Sequence, residues 1–157
     1  MRFIDPAQDP WQPLSDDGAH PSSHLLLTYD QWQSRRHEFK RTQPVGVVVP
    51  NTLDVELLHD DLARLTLVAL QFPKWTDGRA YSQARLLRSR LRYGGEVRAT
   101  GEVLVDMLPL LQRNGFDAAL LRADQNLDAA RRALRFFAGH YQGDALRARP
   151  LFNRAEA

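Results

Sequence analysis

The sequence predicts an α/β domain built on an open, mostly parallel sheet of about four to five strands, with helices packed on the sheet. Three observations carry that prediction. Val45–Val49 is a β-branched run, and Leu65–Phe72 is a second apolar run, each of strand length and typical of strands covered on both faces. Helical patterns alternate with such runs at a spacing of roughly 20–25 residues, as parallel βαβ units require. The chain has 157 residues, enough for one domain with a sizeable core, and four βα units are too few for a full eight-fold barrel. A half-barrel-like curved sheet is the alternative.

Residues 1–23 hold Pro6, Pro10, Pro13, Pro21 and Gly18 among several aspartates, and read as an extended arm that Ile4 and Trp11 could pin to the body. The α/β domain is expected over residues 24–140. Leu25–Leu27 is a short apolar run, after which Thr28 or Asp30 can cap a helix to about Phe39. Asp54–Ala63 reads as a short helix after the first long strand. Arg79–Arg92 reads as a helix started by Asp77 or Thr76 and stopped at Gly94–Gly95. Glu96–Thr100 is a shorter strand. A helix within Val103–Asn114 should begin near Asp106 or bend, because Pro109 is tolerated only in a first turn. Ala118–Leu121 is the next strand. Asp124 can cap a final helix with a buried stripe of Leu127, Ala130, Leu134 and Phe137. Residues 141–157, with Arg147, Arg149 and Arg154, form an irregular tail.

Composition excludes several functions. The chain has no cysteine, which removes disulfides, thiolate nucleophiles and cysteine-ligated clusters. The histidines His20, His24, His37, His59 and His140 show no metal spacing, so no metal is expected. The formal charge of +2 leaves no global nucleic-acid footprint. There is no apolar run of membrane-spanning length, and MRFIDPAQDPW carries acids and prolines where a signal peptide needs an apolar core. A cytoplasmic location follows. No Gly-x-Gly-x-x-Gly, Walker loop or Gly-x-Ser-x-Gly elbow is present, and the sequence points to no cofactor of its own.

In open α/β sheets ligands collect beyond the carboxyl ends of the strands. The richest such segment is Phe72–Arg79 with its continuation into the next helix. Gly78 allows close backbone approach, Arg79 offers a planar fork for an oxyanion, and Lys74 adds a point charge. Thr76, Tyr81 and Ser82 add hydroxyls, Trp75 reads as a loop anchor packed on the core or, alternatively, a stacking platform for a cofactor or a partner hot spot, and Arg98 could converge from the next strand. The plainer reading is a capped helix with surface arginines. Asp77 and Asp106 are weak candidates for a general base, with capping and ion pairing as the alternative for both. Arg85, Arg88 and Arg92, three and four apart, form one helical stripe: a solvated face, or a docking patch for an acidic partner or phosphate-bearing ligand.

The stretch FPKWTDGRAYSQARLLRSRLRYGGEVRATGEVLVDMLPLLQRNGFDAALL, about a third of the chain, resembles a bacterial family of unknown function. Its genes sit beside that of the haemoprotein of assimilatory sulfite reductase, and its members carry the label of an oxidoreductase of sulfite reduction. The family pattern is matched at Phe72, Pro73, Asp77, Gly78, Arg79, Tyr81, Ser82, Ala84, Arg88, Gly95, Glu96, Arg98, Gly101, Val103, Asp106, Gly115, Phe116 and Asp117. Departures are Ala80 in place of a usual glycine, Met107-Leu108-Pro109 in a usually Pro-free helix start, and Asn114 where many relatives carry cysteine. The resemblance implies an accessory or adaptor protein of sulfite reduction, binding an oxyanion or the reductase haemoprotein through residues 72–106. The alternative is a small enzyme or binder acting on a sulfur oxyanion or a phosphate-bearing ligand. Convergence of Arg79, Arg98 and Asp106 in one pocket favours the binder; residues that point apart, with Trp75 exposed on a flat face, favour the adaptor.

Overall fold

Seven parallel strands form one curled sheet, in the order β1-β7-β6-β5-β4-β3-β2. The strands are β1 (Arg2–Phe3), β2 (Trp11–Pro13), β3 (His24–Thr28), β4 (Val45–Val49), β5 (Leu67–Phe72), β6 (Glu96–Gly101) and β7 (Ala118–Ala119). The structure is a computed structural model that describes residues 1–15, 24–136, 142–145 and 149. Four α-helices accompany the sheet: α1 (Tyr29–Arg35), α2 (Arg79–Ser89), α3 (Leu108–Arg113) and α4 (Leu127–Arg135). Among the described residues, no helix is long and apolar enough to cross a membrane.

From β2 to β7 each strand lies beside its predecessor, so right-handed crossovers step in one direction and keep the helices on one face. Alternation along the strands then sorts the side chains. Val47, Val49, Val68, Leu70, Phe72, Val97 and Ala99 join the core under the helices. Leu67, Ala69, Arg98 and Ala118, at the intervening positions, share the inner face, with Ala69, Arg98 and Ala118 in register.

Chain length shows why the sheet curls. β1 and β2 are consecutive in sequence yet occupy opposite edges. Six strand spacings measure about 29 Å in a flat sheet. The link of residues 4–10 reaches barely that far when fully stretched, at most about 3.6 Å per residue. It is not stretched, because Gln8 N–H donates to the Asp5 carbonyl at 3.0 Å. The edges must therefore bend toward each other, in the half-barrel manner.

The sheet has seven strands where four to five were expected. β1 and β2, two and three residues long, are too short to show periodicity, and β3 contains the Leu25–Leu27 apolar run. The segment read as an arm thus supplies both edge strands; its residues 16–23 lie outside the described part. Thr28 caps α1 through a capping box with Gln31, and the helix ends at Arg35 rather than near Phe39. The short helix expected at Asp54–Ala63 is present at Val55–Arg64, wound as a 3₁₀ helix. α2 ends at Ser89, short of Arg92, which adopts φ +54°. Pro109 sits in the first turn of α3, preceded by a 3₁₀ turn at Val105–Met107, as its missing N–H demands. Asn126, not Asp124, caps α4. In that helix Ala130 is buried, Leu134 is half-buried and Leu127 is exposed; Phe137 lies outside the described residues. Trp32 is buried, with its indole N–H donating to Asp61 at 2.9 Å.

Candidate functional site

The loop after β5 stands on a rigid base. Phe72, the last residue of β5, is fully buried and meets Tyr81 edge-on at 5.1 Å and Phe116 at 6.0 Å between ring centroids. Gly101 at φ +90° passes so close to the Phe72 carbonyl that a Cβ there would strike its oxygen. The same oxygen accepts from Glu102 N–H at 2.8 Å. On the other flank, buried Gln83 of α2 donates to the carbonyls of Pro50 and Leu53 at 3.0 and 2.8 Å, tying α2 to the loop after β4.

From this base the chain turns through Lys74–Asp77, where Asp77 N–H donates to the Lys74 carbonyl at 3.0 Å. Lys74, Trp75 and Thr76 are exposed, Trp75 to 57%. Asp77 accepts from the backbone N–H of Arg79 at 3.2 Å and from its guanidinium at 3.0 and 2.6 Å. Arg79 holds the Asp77 carboxyl well below the usual carboxylate range, and Asp77 in turn raises Arg79. The fork expected to grip an oxyanion is thus closed on a carboxylate two residues away. Gly78 is the N-cap of α2, with φ −83° and ψ 2°. Ser82 is exposed on α2. Tyr81 is half-buried between Phe72 and Phe116, and burial pushes its phenol up.

Arg98 lies elsewhere. It projects from the inner face of β6 with a side chain 4% exposed, donating to Asp9 at 2.5 Å and to Glu96 at 2.8 Å. Glu96 also pairs with Arg2 at 2.5 Å. This network borders a polar cavity of about 240 Å³ that Asp5, Gln8 and Trp11 also line, and none of residues 74–82 reaches it. Arg79 and Arg98 therefore do not share a pocket. Asp106 is exposed in the 3₁₀ turn after β6. Lys74, Trp75, Thr76, Asp77, Gly78 and Arg79 do remain together at the carboxyl end of β5.

The arginine stripe on α2 is divided. Arg85 and Arg92 are exposed, but Arg88 turns inward, its side chain only 10% exposed. Its guanidinium donates to the carbonyls of Gly115 at 2.9 Å, Tyr93 at 2.6 Å and Gly95 at 2.8 Å, and to the Asp117 carboxylate. Asp117 also accepts from Val97 N–H at 2.8 Å. Arg88 is thus a staple between α2, the start of β6 and the start of β7. Gly115, at φ +93°, has no room for a side chain, since a Cβ would come within 2.5 Å of Arg88 Cγ.

Two residues of consequence escaped the sequence reading. Asp9 neutralises Arg98 across 89 positions, and no local pattern announces such a pairing. Arg113 of α3 borders a cleft with Arg85, and the change of helix hides that neighbourhood from any spacing rule. Among the described residues, no group of three or more histidines, aspartates or glutamates is placed to hold a metal ion.

No curated protein matches the chain. The model of a family described as a bacterial protein of unknown function, DUF934, matches residues 46–152, well over half the sequence, and the chain belongs to that family.

Proposed function

We propose that this protein is a cytoplasmic accessory protein of assimilatory sulfite reduction that docks on the reductase haemoprotein through the loop after β5. The pathway rests on the resemblance carried by the Phe72–Leu121 motif. The docking mode rests on one observation: Trp75 is 57% exposed on a loop whose two ends are anchored in the core. A large aromatic on a rigid platform offers contact area at little entropic cost, which is why tryptophan recurs at the energetic centres of interfaces. Lys74 and the Asp77–Arg79 pair would form its polar rim. Bound oxyanion chemistry is the weaker reading, because Arg79 is committed to Asp77, and Arg98 to Asp9 and Glu96.

The test is a titration of the purified haemoprotein with the full chain. Saturable binding by the wild type, weakened at least about tenfold in Trp75→Ala, is the expected result. A wild-type protein that forms no complex, or a Trp75→Ala variant that binds equally well, sinks the reading.

A further inference from the structure

A second surface lies toward the far end of α2, at most about 15 Å along the helix from its first residue at 1.5 Å per residue. Arg85, Ser89 and Arg92 of this helix region face Gly143–Ala145 across a cleft of about 300 Å³. An adjoining cleft of about 110 Å³ is lined by Arg85, Leu110, Arg113 and Asn114 together with Gly143 and Asp144. Three guanidiniums, from α2, the turn that follows it and α3, therefore border a depression formed by two clefts that share Arg85, Gly143 and Asp144.

These arginines differ from their neighbours in commitment. Arg79, Arg88, Arg90 and Arg98 all sit in ion pairs. Among the described residues, Arg85, Arg92 and Arg113 make none. Arg113 Nε is moreover buried with no hydrogen-bond partner. A buried guanidinium nitrogen without an acceptor is costly, and the cost is relieved when an anion enters. Arg92 is held at φ +54°, the left-handed region that a non-glycine residue adopts only under constraint.

One wall of the depression is peptide. Ala145 N–H donates to the Arg113 carbonyl at 2.9 Å, a backbone hydrogen bond, and the Asp144 carboxylate borders both clefts. We infer that this cleft is a receptor for an acidic peptide segment of a partner protein, which takes the place of Gly143-Asp144-Ala145 at the Arg113 carbonyl and supplies the three arginines with carboxylates, while the Asp144 side chain on the cleft wall disfavours it by like charge. Recognition combines one backbone hydrogen bond with carboxylates received by the three arginine forks. An oxyanion alone would use the charge but not the backbone acceptor. The inference extends the docking reading to a second surface and does not use Trp75.

The test uses the full chain and a fluorescein-labelled Gly-Asp-Glu-Asp-Gly peptide, followed by anisotropy at low salt. The peptide should bind saturably and weaken steeply with added salt. Arg113→Gln and Arg92→Gln should each weaken it about tenfold. Arg92 is exposed, so its variant keeps the test valid if Arg113→Gln impairs folding. Asp144→Ala should tighten binding, and Trp75→Ala should leave it unchanged. That last variant separates the two surfaces: loss of haemoprotein binding with peptide binding intact overturns neither proposal. Absence of saturable binding, indifference to both arginine substitutions, or equal displacement by inorganic phosphate overturns the peptide receptor. If the arginines serve only to offset the two helix C-termini, their substitution lowers the melting temperature without any peptide effect, and the inference falls.

Discussion

Replacing Arg88 by methionine keeps the stem and removes a guanidinium that makes four hydrogen bonds. Three of these end on backbone carbonyls, of Gly115, Tyr93 and Gly95, and the fourth on Asp117. A hydrogen bond from a charged donor contributes about 1.5–3 kcal/mol, but the four share one group and do not add. Asp117, 42% exposed, recovers water when the arginine leaves and keeps its bond to Val97 N–H. The carbonyls beneath the stem recover less. These considerations put the loss at about 3–5 kcal/mol, the range for breaking a buried ion pair by removing one partner. For a urea slope of about 2 kcal/mol per molar, the midpoint should fall by roughly 1.5–2.5 M. Arg85→Met is the control: it lies one helical turn away, is exposed and should stay within about 0.5 kcal/mol. Urea unfolding followed by circular dichroism decides. Equal midpoints for the two variants would refute the assignment of Arg88 as a staple and return it to the surface stripe.

Other expectations follow from the same contacts. Tyr93 is buried and its hydroxyl donates to the Leu65 carbonyl at 3.1 Å; burial raises its phenol well above the ordinary value of 10.0. Its stabilising contribution is therefore fully present below about pH 10 and is lost as pH rises toward the folded-state value. Melting temperatures across that range should fall for the wild type more steeply than for Tyr93→Phe, and identical slopes would contradict the account. Asp9→Ala leaves Arg98 buried with Glu96 alone and should cost about 2–3 kcal/mol, whereas adding Arg98→Met should recover part of it; strict additivity in this double-mutant cycle would rule out the coupling. Gly101→Ala forces a Cβ onto the Phe72 carbonyl at φ +90° and should cost roughly 2–3 kcal/mol, while Gly78→Ala, whose Cβ meets only the Tyr81 ring at 3.6 Å, should be nearly neutral in a thermal melt.

The elements legible in the sequence are those that fill the middle of the sheet. Val45–Val49 and the Leu65–Phe72 run announced β4 and β5 because nearly every position of each strand is buried, with Thr66 and Gln71 the only polar residues in the second run. β1 and β2 were silent, since two or three residues carry no period and their pairing is decided by strands more than a hundred positions away for β1. Helical spacing placed Arg85, Arg88 and Arg92 on one stripe, but spacing does not say where a helix meets its neighbours, and Arg88 lies at the seam. The separation of Arg98 from Arg79 was available in principle. Val97 and Ala99 point toward the helices, so strand alternation sends Arg98 to the opposite face. Asp9, the partner that closes the inner face, had no local signal at all.

The proposed docking surface is open to direct mapping by amide hydrogen exchange of the full chain, alone and with the sulfite reductase haemoprotein. Slowed exchange centred on residues 73–79, with the strands beneath unchanged, is the predicted footprint. A complex whose protection falls elsewhere and spares this loop would contradict the account, as would an exchange pattern that the haemoprotein leaves untouched.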